Sequence, residues 1–133
     1  MMNSNILDRI ATPLLAWYDI GHRALPWRED KNPYRIWVSE IMLQQTRVEA
    51  VIPYFARFME VFPDISALAE ADDDFLLKNW EGLGYYSRAR NLKKAAIVIM
   101  EQYDGRMPDT WELLQNLPGI GSSLAQRIID YRE

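Results

Sequence analysis

A single glutamate in an apolar stretch is the strongest candidate for acid–base chemistry in this sequence. Glu40 lies between the apolar runs 36–38 and 41–43. Apolar surroundings desolvate a carboxyl group in part and favour its protonated form, which suits a general acid near neutral pH. The simpler alternative is a glutamate that faces water on the helix surface between two buried stripes. The local pattern by itself favours that alternative.

An uncharged polar cluster follows the same stretch. Gln44, Gln45 and Thr46 stand where the predicted helix ends. Amide and hydroxyl side chains can read the edges of nucleic-acid bases through hydrogen bonds. The same residues are equally typical of a plain C-terminal turn.

A glycine-rich block supplies a second set of candidates. Gly82 and Gly84 flank Leu83, Tyr85 and Tyr86 follow, and two arginines, at positions 88 and 90, come one helical turn later. Glycines allow close approach of the backbone to a ligand, tyrosines offer stacking surfaces, and arginines neutralise phosphates. The alternative is a helix N-terminus with buried tyrosines, which the block fits at least as well.

The segment Leu117–Gly121 has the pattern of a helix–hairpin–helix motif. Its glycines, Gly119 and Gly121, flank Ile120 between two short amphipathic segments that together span 111–132. Exposed N–H groups at the start of the second helix favour an anion, so the motif can hold a DNA phosphate without reading sequence. An ordinary αα-hairpin with glycines in its turn is the alternative.

These residues are positioned by helices, because the apolar periodicity is helical throughout and no alternating strand pattern occurs. We predict an all-α fold in which helix packs on helix, with the 32–45 helix at its centre. The expected units are an N-terminal helix in 1–24 and a helical domain in 25–133. The residues expected to begin helices are Asn32, Ser66, Asp72 and Asp109, the last in a capping box with Glu112.

Composition limits the class of protein. The chain has 133 residues, 49% hydrophobic and 26% charged, which fits one folded domain. No apolar run is long enough to span a bilayer, and the N-terminus lacks the features of a secretory signal. The absence of cysteine excludes disulfides, a thiol nucleophile and thiolate metal sites, and one histidine excludes a histidine-rich metal site. We expect no metal site.

Charge is unevenly distributed along the chain. The net charge of −4 argues mildly against nucleic acid as a partner. However, segment 60–83 has seven acids and one base, whereas segment 84–107 has five bases and two acids. This distribution fits two solvated helix faces of opposite sign, and it equally fits a phosphate-binding face beside an acidic one.

Four segments in this order resemble the N-terminal part of the MutY-type adenine DNA glycosylases. They are Leu25–Arg28, Ser39–Thr46, Gly82–Leu92 and Leu117–Gly121. This family belongs to the helix–hairpin–helix glycosylases, in which endonuclease III is the sibling family, and the resemblance covers about 17–120. It implies an enzyme that flips out adenine mispaired with 8-oxoguanine or guanine and hydrolyses its N-glycosidic bond.

The resemblance also implies roles for individual residues. Glu40 corresponds to the catalytic acid that protonates the leaving adenine, and Trp27 and Arg28 correspond to the substrate pocket. Gln45 corresponds to a residue inserted near the lesion pair, whereas Leu83 and Tyr85 correspond to residues that probe the opposite strand. The full set expected to contact DNA is Arg23, Leu25, Gln44, Gln45, Thr46, Leu83, Tyr85, Arg88, Gly119, Gly121 and Ser123.

Several departures from the family affect these expectations. Ser123 stands where the endonuclease III siblings have a Schiff-base lysine, which favours a monofunctional glycosylase. The second carboxylate of the family, the four cysteines of its 4Fe-4S cluster and its lesion-recognition domain correspond to positions beyond this sequence. We therefore expect no cofactor in this chain and no activity from these 133 residues alone. Segment 124–133 lacks the small residues usual there and looks more like the hairpins of DNA-uptake and excision-repair proteins.

The resemblance implies double-stranded DNA with an adenine mispair as the partner, and no membrane. It implies a monomeric, nucleoid-associated protein of the bacterial cytoplasm when full length. Two alternatives remain at this point: a non-catalytic helix–hairpin–helix fragment that binds DNA, and an endonuclease III-type glycosylase.

Overall fold

The computed structural model describes residues 32–44 and 46–132, with the side chain of Arg132 excepted, and these residues form α-helices joined by turns. No β-strand occurs among them, which confirms the predicted all-α class. The helices are α1 (Pro33–Leu43), α2 (Val48–Val61), α3 (Ile65–Ala69), α4 (Asp73–Trp80), α5 (Ser87–Gln102), α6 (Trp111–Leu114) and α7 (Ser122–Arg132). The residues described from Asn32 onward form one compact unit. The N-terminal helix expected in 1–24 lies outside the described residues.

Two helix starts are those expected from the sequence. The Asn32 side chain accepts a hydrogen bond from the Tyr34 amide at 2.9 Å, and proline occupies the first position of α1. Asp72 accepts from the Phe75 amide at 3.1 Å and begins α4. In both cases a side-chain oxygen satisfies an amide that the helix leaves without a partner.

Three expected boundaries are wrong. Asp64, and not Ser66, begins α3 by accepting from the Ala67 amide at 2.8 Å. Thr110, and not Asp109 of the expected capping box, begins α6 by accepting from the Leu113 amide at 3.2 Å. The α1 helix ends at Leu43, before the expected glutamines. At the two helix starts, a second residue able to cap stands within two positions of the first. The path of the chain selects which of them has the extended backbone that a cap needs.

The α1 helix lies at the centre of the fold, as the sequence predicted. Its buried residues are Tyr34, Ile36, Trp37, Val38, Ser39, Glu40, Ile41 and Met42. It packs against α2 on one side and α7 on another, whereas α5 packs against α3 and α4. A buried hydrogen bond of 2.7 Å from Tyr34 Oη to the Phe62 carbonyl joins the start of α1 to the end of α2. This packing brings the last helix of the chain next to Glu40.

None of the helices in the described part of the chain is long and apolar enough to cross a membrane.

Candidate active site and nucleic-acid interface

Glu40 is buried and paired with an arginine from the other end of the domain. Only 4% of its side chain is exposed, so the alternative of a surface glutamate is wrong. Its Oε1 accepts a hydrogen bond of 2.8 Å from Nη1 of Arg127 on α7. The contact follows from the packing of α1 against α7.

The pair gives Glu40 a defined electrostatic environment. An arginine donates hydrogen bonds but has no proton to lose at physiological pH, so the carboxyl group faces a permanent cation. The hydrogen bond to Glu40, together with its charge, raises the pKa of Arg127. The Arg127 side chain is 59% exposed, which leaves it room to turn into solvent. In this arrangement Arg127 occupies Oε1 of the Glu40 carboxyl group.

Sequence reasoning did not identify Arg127 as a site residue. The two side chains are 87 positions apart, and no local motif connects them. The available signal was the unusual composition of segment 124–133, where an arginine stands on a helix expected to have small residues.

The hairpin before α7 has its glycines in different environments. Gly119 has a φ of +79°, and an added Cβ would lie 2.9 Å from Cβ of Asn91. Gly121 has open space around it, with no atom within 4 Å of an added Cβ. Gly119 is thus required by the turn and by its contact with α5, whereas Gly121 leaves the backbone before α7 open to a ligand. Ser123 is exposed in the first turn of α7.

The glycine-rich block presents both of its tyrosines to solvent, with Tyr86 39% exposed, so the alternative of buried tyrosines is wrong. Tyr85 is 61% exposed and has a φ of +51°, a left-handed conformation that costs a non-glycine residue about 1–3 kcal/mol. Strained residues of this kind cluster at functional sites. Leu83, in contrast, is 6% exposed and packs inside the protein. Tyr85 can therefore stack on a base without rearrangement, whereas Leu83 would first have to leave the interior.

Arg88 connects this loop to the end of α1. Its Nη1 donates to the carbonyls of Ile41, at 2.6 Å, and of Gln44. Its Nη2 donates to the carbonyls of Leu83 and Gly84 at 3.3 and 3.4 Å. Burial lowers the pKa of this guanidinium. The DNA contact expected of Arg88 thus falls on a side chain whose Nη1 and Nη2 donate within the protein, while its buried Nε has no hydrogen-bond partner among the described residues.

The three candidate segments meet at one place. A small cavity of about 100 Å³ is lined by residues of α1, α5 and the hairpin, among them Gln44, Arg88 and Gly119. Gln44 is exposed and Thr46 is partly exposed in the turn after α1. The expected site residues Arg23, Leu25, Trp27, Arg28 and Gln45 lie outside the described residues.

No group of three or more histidine, cysteine, aspartate or glutamate residues that could hold a metal ion occurs in the part of the chain that the structure describes.

The arrangement of a buried glutamate beside a helix–hairpin–helix agrees with the comparison to protein families. Residues 38–127 match the family described as HhH-GPD superfamily base excision DNA repair protein. The chain belongs to the HhH-GPD superfamily.

The relatives within the HhH-GPD superfamily are named adenine DNA glycosylases. Identity is 45% to the protein of Buchnera aphidicola subsp. Baizongia pistaciae over 119 residues, which cover 89% of this chain and 34% of the relative. It is 44% to the human protein, over 86% of this chain and 23% of the relative. Identity to the Mycobacterium tuberculosis protein is 42%, and the match covers 88% of this chain and 39% of the relative. The chain thus spans between about a quarter and two fifths of the length of these relatives.

Solved structures agree with the HhH-GPD fold. A thermostable thymine-DNA glycosylase superposes with a TM-score of 0.78 at 25% identity, over 87% of this chain and 54% of that one. The protein in a non-covalent endonuclease III–DNA complex superposes with a TM-score of 0.71 at 19% identity, and the match covers 92% of this chain and 60% of that one. The second similarity establishes the fold alone.

Proposed function

We propose that this chain is the part of an adenine DNA glycosylase that supplies the general acid and one side of the DNA contact. The substrate is a duplex in which adenine is mispaired with 8-oxoguanine or guanine, bound by a monomer in the bacterial nucleoid. The observation that carries the proposal is the burial of Glu40 against α7, directly after the hairpin. The names of the relatives support the same reaction.

The proposed step is protonation of a base as it leaves. Adenine is turned out of the duplex, and the Glu40 carboxyl group transfers its proton to a ring nitrogen of the base. The electron pair of the glycosidic bond stays with adenine and the sugar becomes a cation. Water adds to that cation and releases a proton to the Glu40 carboxylate, which restores the acid. General acid help of this kind contributes roughly 10²–10⁴-fold to the rate. Arg127 donates to Oε1, so the proton that Glu40 transfers is carried by Oε2 unless Arg127 turns away.

Two parts of such an enzyme have no counterpart here. The chain contains no cysteine, so its residues do not fit a cluster held by four thiolates, and no step depends on one. A carboxylate that stabilises the sugar cation would also come from residues outside this sequence. We therefore propose that these 133 residues by themselves do not release adenine.

A second candidate function is DNA binding without catalysis. The contact of 2.8 Å between Arg127 and Glu40 favours it, because the guanidinium occupies Oε1 of the group that would otherwise protonate the base. An endonuclease III-type lyase is disfavoured, since Ser123 lacks the amine needed for a Schiff base.

The test measures excision and binding separately. The assay uses the protein as its gene encodes it in the cell. In that protein, Glu40→Gln should lower single-turnover adenine release from a mispaired duplex by at least 10²-fold. Duplex affinity should stay within about threefold, because the amide keeps the shape of the side chain and loses only the proton. Release by Glu40→Gln close to wild type would refute the role of Glu40. Duplex binding with no adenine release by the unmodified protein would establish the second candidate.

A further inference from the structure

Arg88 makes an unusual number of contacts to backbone oxygens of two separate segments. Nη1 donates to Ile41 and Gln44 at the end of α1, and Nη2 donates to Leu83 and Gly84 in the loop before α5. A third acceptor at the end of α1, the Met42 carbonyl, lies 3.5 Å from Nη1. One side chain therefore holds both segments, which are more than 35 residues apart in the sequence.

The end of α1 is closed in part by its own turn, since the Ile41 carbonyl accepts from the Gln44 amide at 3.2 Å, and the Arg88 guanidinium adds a second donor from outside the helix. The last carbonyls of a helix have no partner within it, and the final turn of α1 has no basic residue. The turn that follows carries Gln44 and Thr46, whose amide and hydroxyl groups are expected to contact DNA. Arg88 satisfies these carbonyls from 44 to 47 positions away and so determines where this turn lies.

The loop needs a support as well. Gly82, Gly84 and Tyr85 all have positive φ values, and Tyr85 keeps its ring in solvent in that conformation. The Arg88 guanidinium lies 5.5 Å from the ring centres of both Tyr85 and Trp80. Trp80 Nε1 in turn donates to the Gly84 carbonyl at 3.0 Å. The direction in which Tyr85 points thus depends on the guanidinium beneath it.

From these contacts we infer that Arg88 is a positioning residue, which holds the Gln44 turn and the Gly84–Tyr85 loop in register so that both meet the same stretch of duplex. This inference rests on the proposed function for the identity of the duplex. It assigns Arg88 an indirect role, in which the arginine orders the groups that touch DNA and does not itself neutralise a phosphate. The planar fork of arginine is required, because a lysine ammonium cannot reach both segments at once.

Salt dependence separates this role from a phosphate contact. Each phosphate neutralised by a side chain contributes about 0.9 to the slope of log affinity against log salt. In the 133-residue chain, Arg88→Met and Arg88→Lys should each lower affinity for a mispaired duplex at least fivefold with an unchanged slope. Arg90, exposed on the same helix, is the matched control, and Arg90→Met should lower the slope by about 0.9 if it contacts a phosphate.

A spectroscopic measurement tests the coupling without DNA. In amide NMR spectra, Arg88→Lys should shift both the Gln44–Thr46 signals and the Tyr85 signal, whereas Arg90→Met should shift neither. A wild-type affinity for Arg88→Lys would overturn the inference, as would a reduced slope for Arg88→Met with both segments unshifted. These NMR shifts test the coupling between the two segments even if the chain does not bind a duplex. A failure of the proposed function, seen as absent duplex binding, is therefore distinguished from a failure of this inference.

If both variants at position 88 fail to fold, the unmodified chain still gives an answer. Hydrogen bonds to two segments restrict rotation of the guanidinium, so its Nη protons should give separate NMR signals with nuclear Overhauser contacts to both segments. A single averaged Nη signal would overturn the inference.

Discussion

Nη1 of Arg127 lies 2.8 Å from Oε1 of Glu40, and the two partners differ strongly in exposure, at 59% and 4% of their side chains. The pair is therefore asymmetric. Arg127 can return to water if Glu40 is lost, whereas Glu40 has no such route if Arg127 is lost. A buried group left without its partner costs more than the pair itself contributes.

The first prediction concerns this asymmetry. Arg127→Met should lower the free energy of unfolding at neutral pH by about 1–3 kcal/mol, because it leaves a buried carboxylate without its donor. Glu40→Gln should cost less, since the amide is neutral and Arg127 can turn outward. Urea unfolding of the two variants and of the double variant measures the coupling. Equal losses for the two single variants would contradict the asymmetry.

The second prediction separates the hairpin glycines. Gly121→Ala should fold with nearly unchanged stability, because an added Cβ meets no atom within 4 Å, and it should lower duplex affinity by hindering approach to the backbone. Gly119→Ala should instead lower the free energy of unfolding by about 1–2 kcal/mol, owing to its φ of +79° and the contact with Asn91. Thermal unfolding and fluorescence anisotropy check the two variants. Unchanged binding by Gly121→Ala would mean that the hairpin is only structural.

The third prediction concerns the glycine-rich loop. A Cβ at Gly82 would lie 2.0 Å from Oη of Tyr54, which donates to the Glu81 carbonyl at 2.7 Å. Gly82→Ala should therefore be more destabilising than Gly84→Ala, whose added Cβ meets nothing within 4 Å. Tyr54→Phe removes the clashing oxygen, so the double variant Tyr54→Phe/Gly82→Ala should lose less stability than the sum of the single losses. An additive result in chemical denaturation would disprove the steric explanation.

The fourth prediction concerns alkaline pH. Burial, assisted by the charge of Asp64, raises the pKa of Tyr34 well above its ordinary value of 10. The unfolded chain releases this proton above about pH 10 and the folded chain keeps it, so the contribution to stability is complete below pH 10 and is lost as pH rises further. The loss is about 1.4 kcal/mol per pH unit. In unfolding experiments between about pH 9 and 12, the free energy of unfolding of Tyr34→Phe should lack this component of the decline. A parallel decline in the wild type and in Tyr34→Phe would refute the prediction.

Local sequence was sufficient for the helical class, for the caps at Asn32 and Asp72, and for the central place of α1. These features depend on the spacing of apolar residues and on side chains that cap amides two or three positions away. Caps were misplaced where several capable residues stand together, as at Asp64 and Ser66. Their choice depends on the course of the chain between helices, which local spacing does not contain.

The candidate site divides in the same way. Sequence supplied Glu40, the glycine-rich loop and the hairpin as candidates, but the local pattern around Glu40 favoured a surface position, and only the family resemblance gave it the role of an acid. Only the tertiary structure decided that Glu40 is buried and faces Arg127, and that Arg88 donates to carbonyls instead of facing solvent. Both outcomes arise from packing between helices distant in sequence, where one long side chain reaches whichever acceptor the neighbouring helix presents.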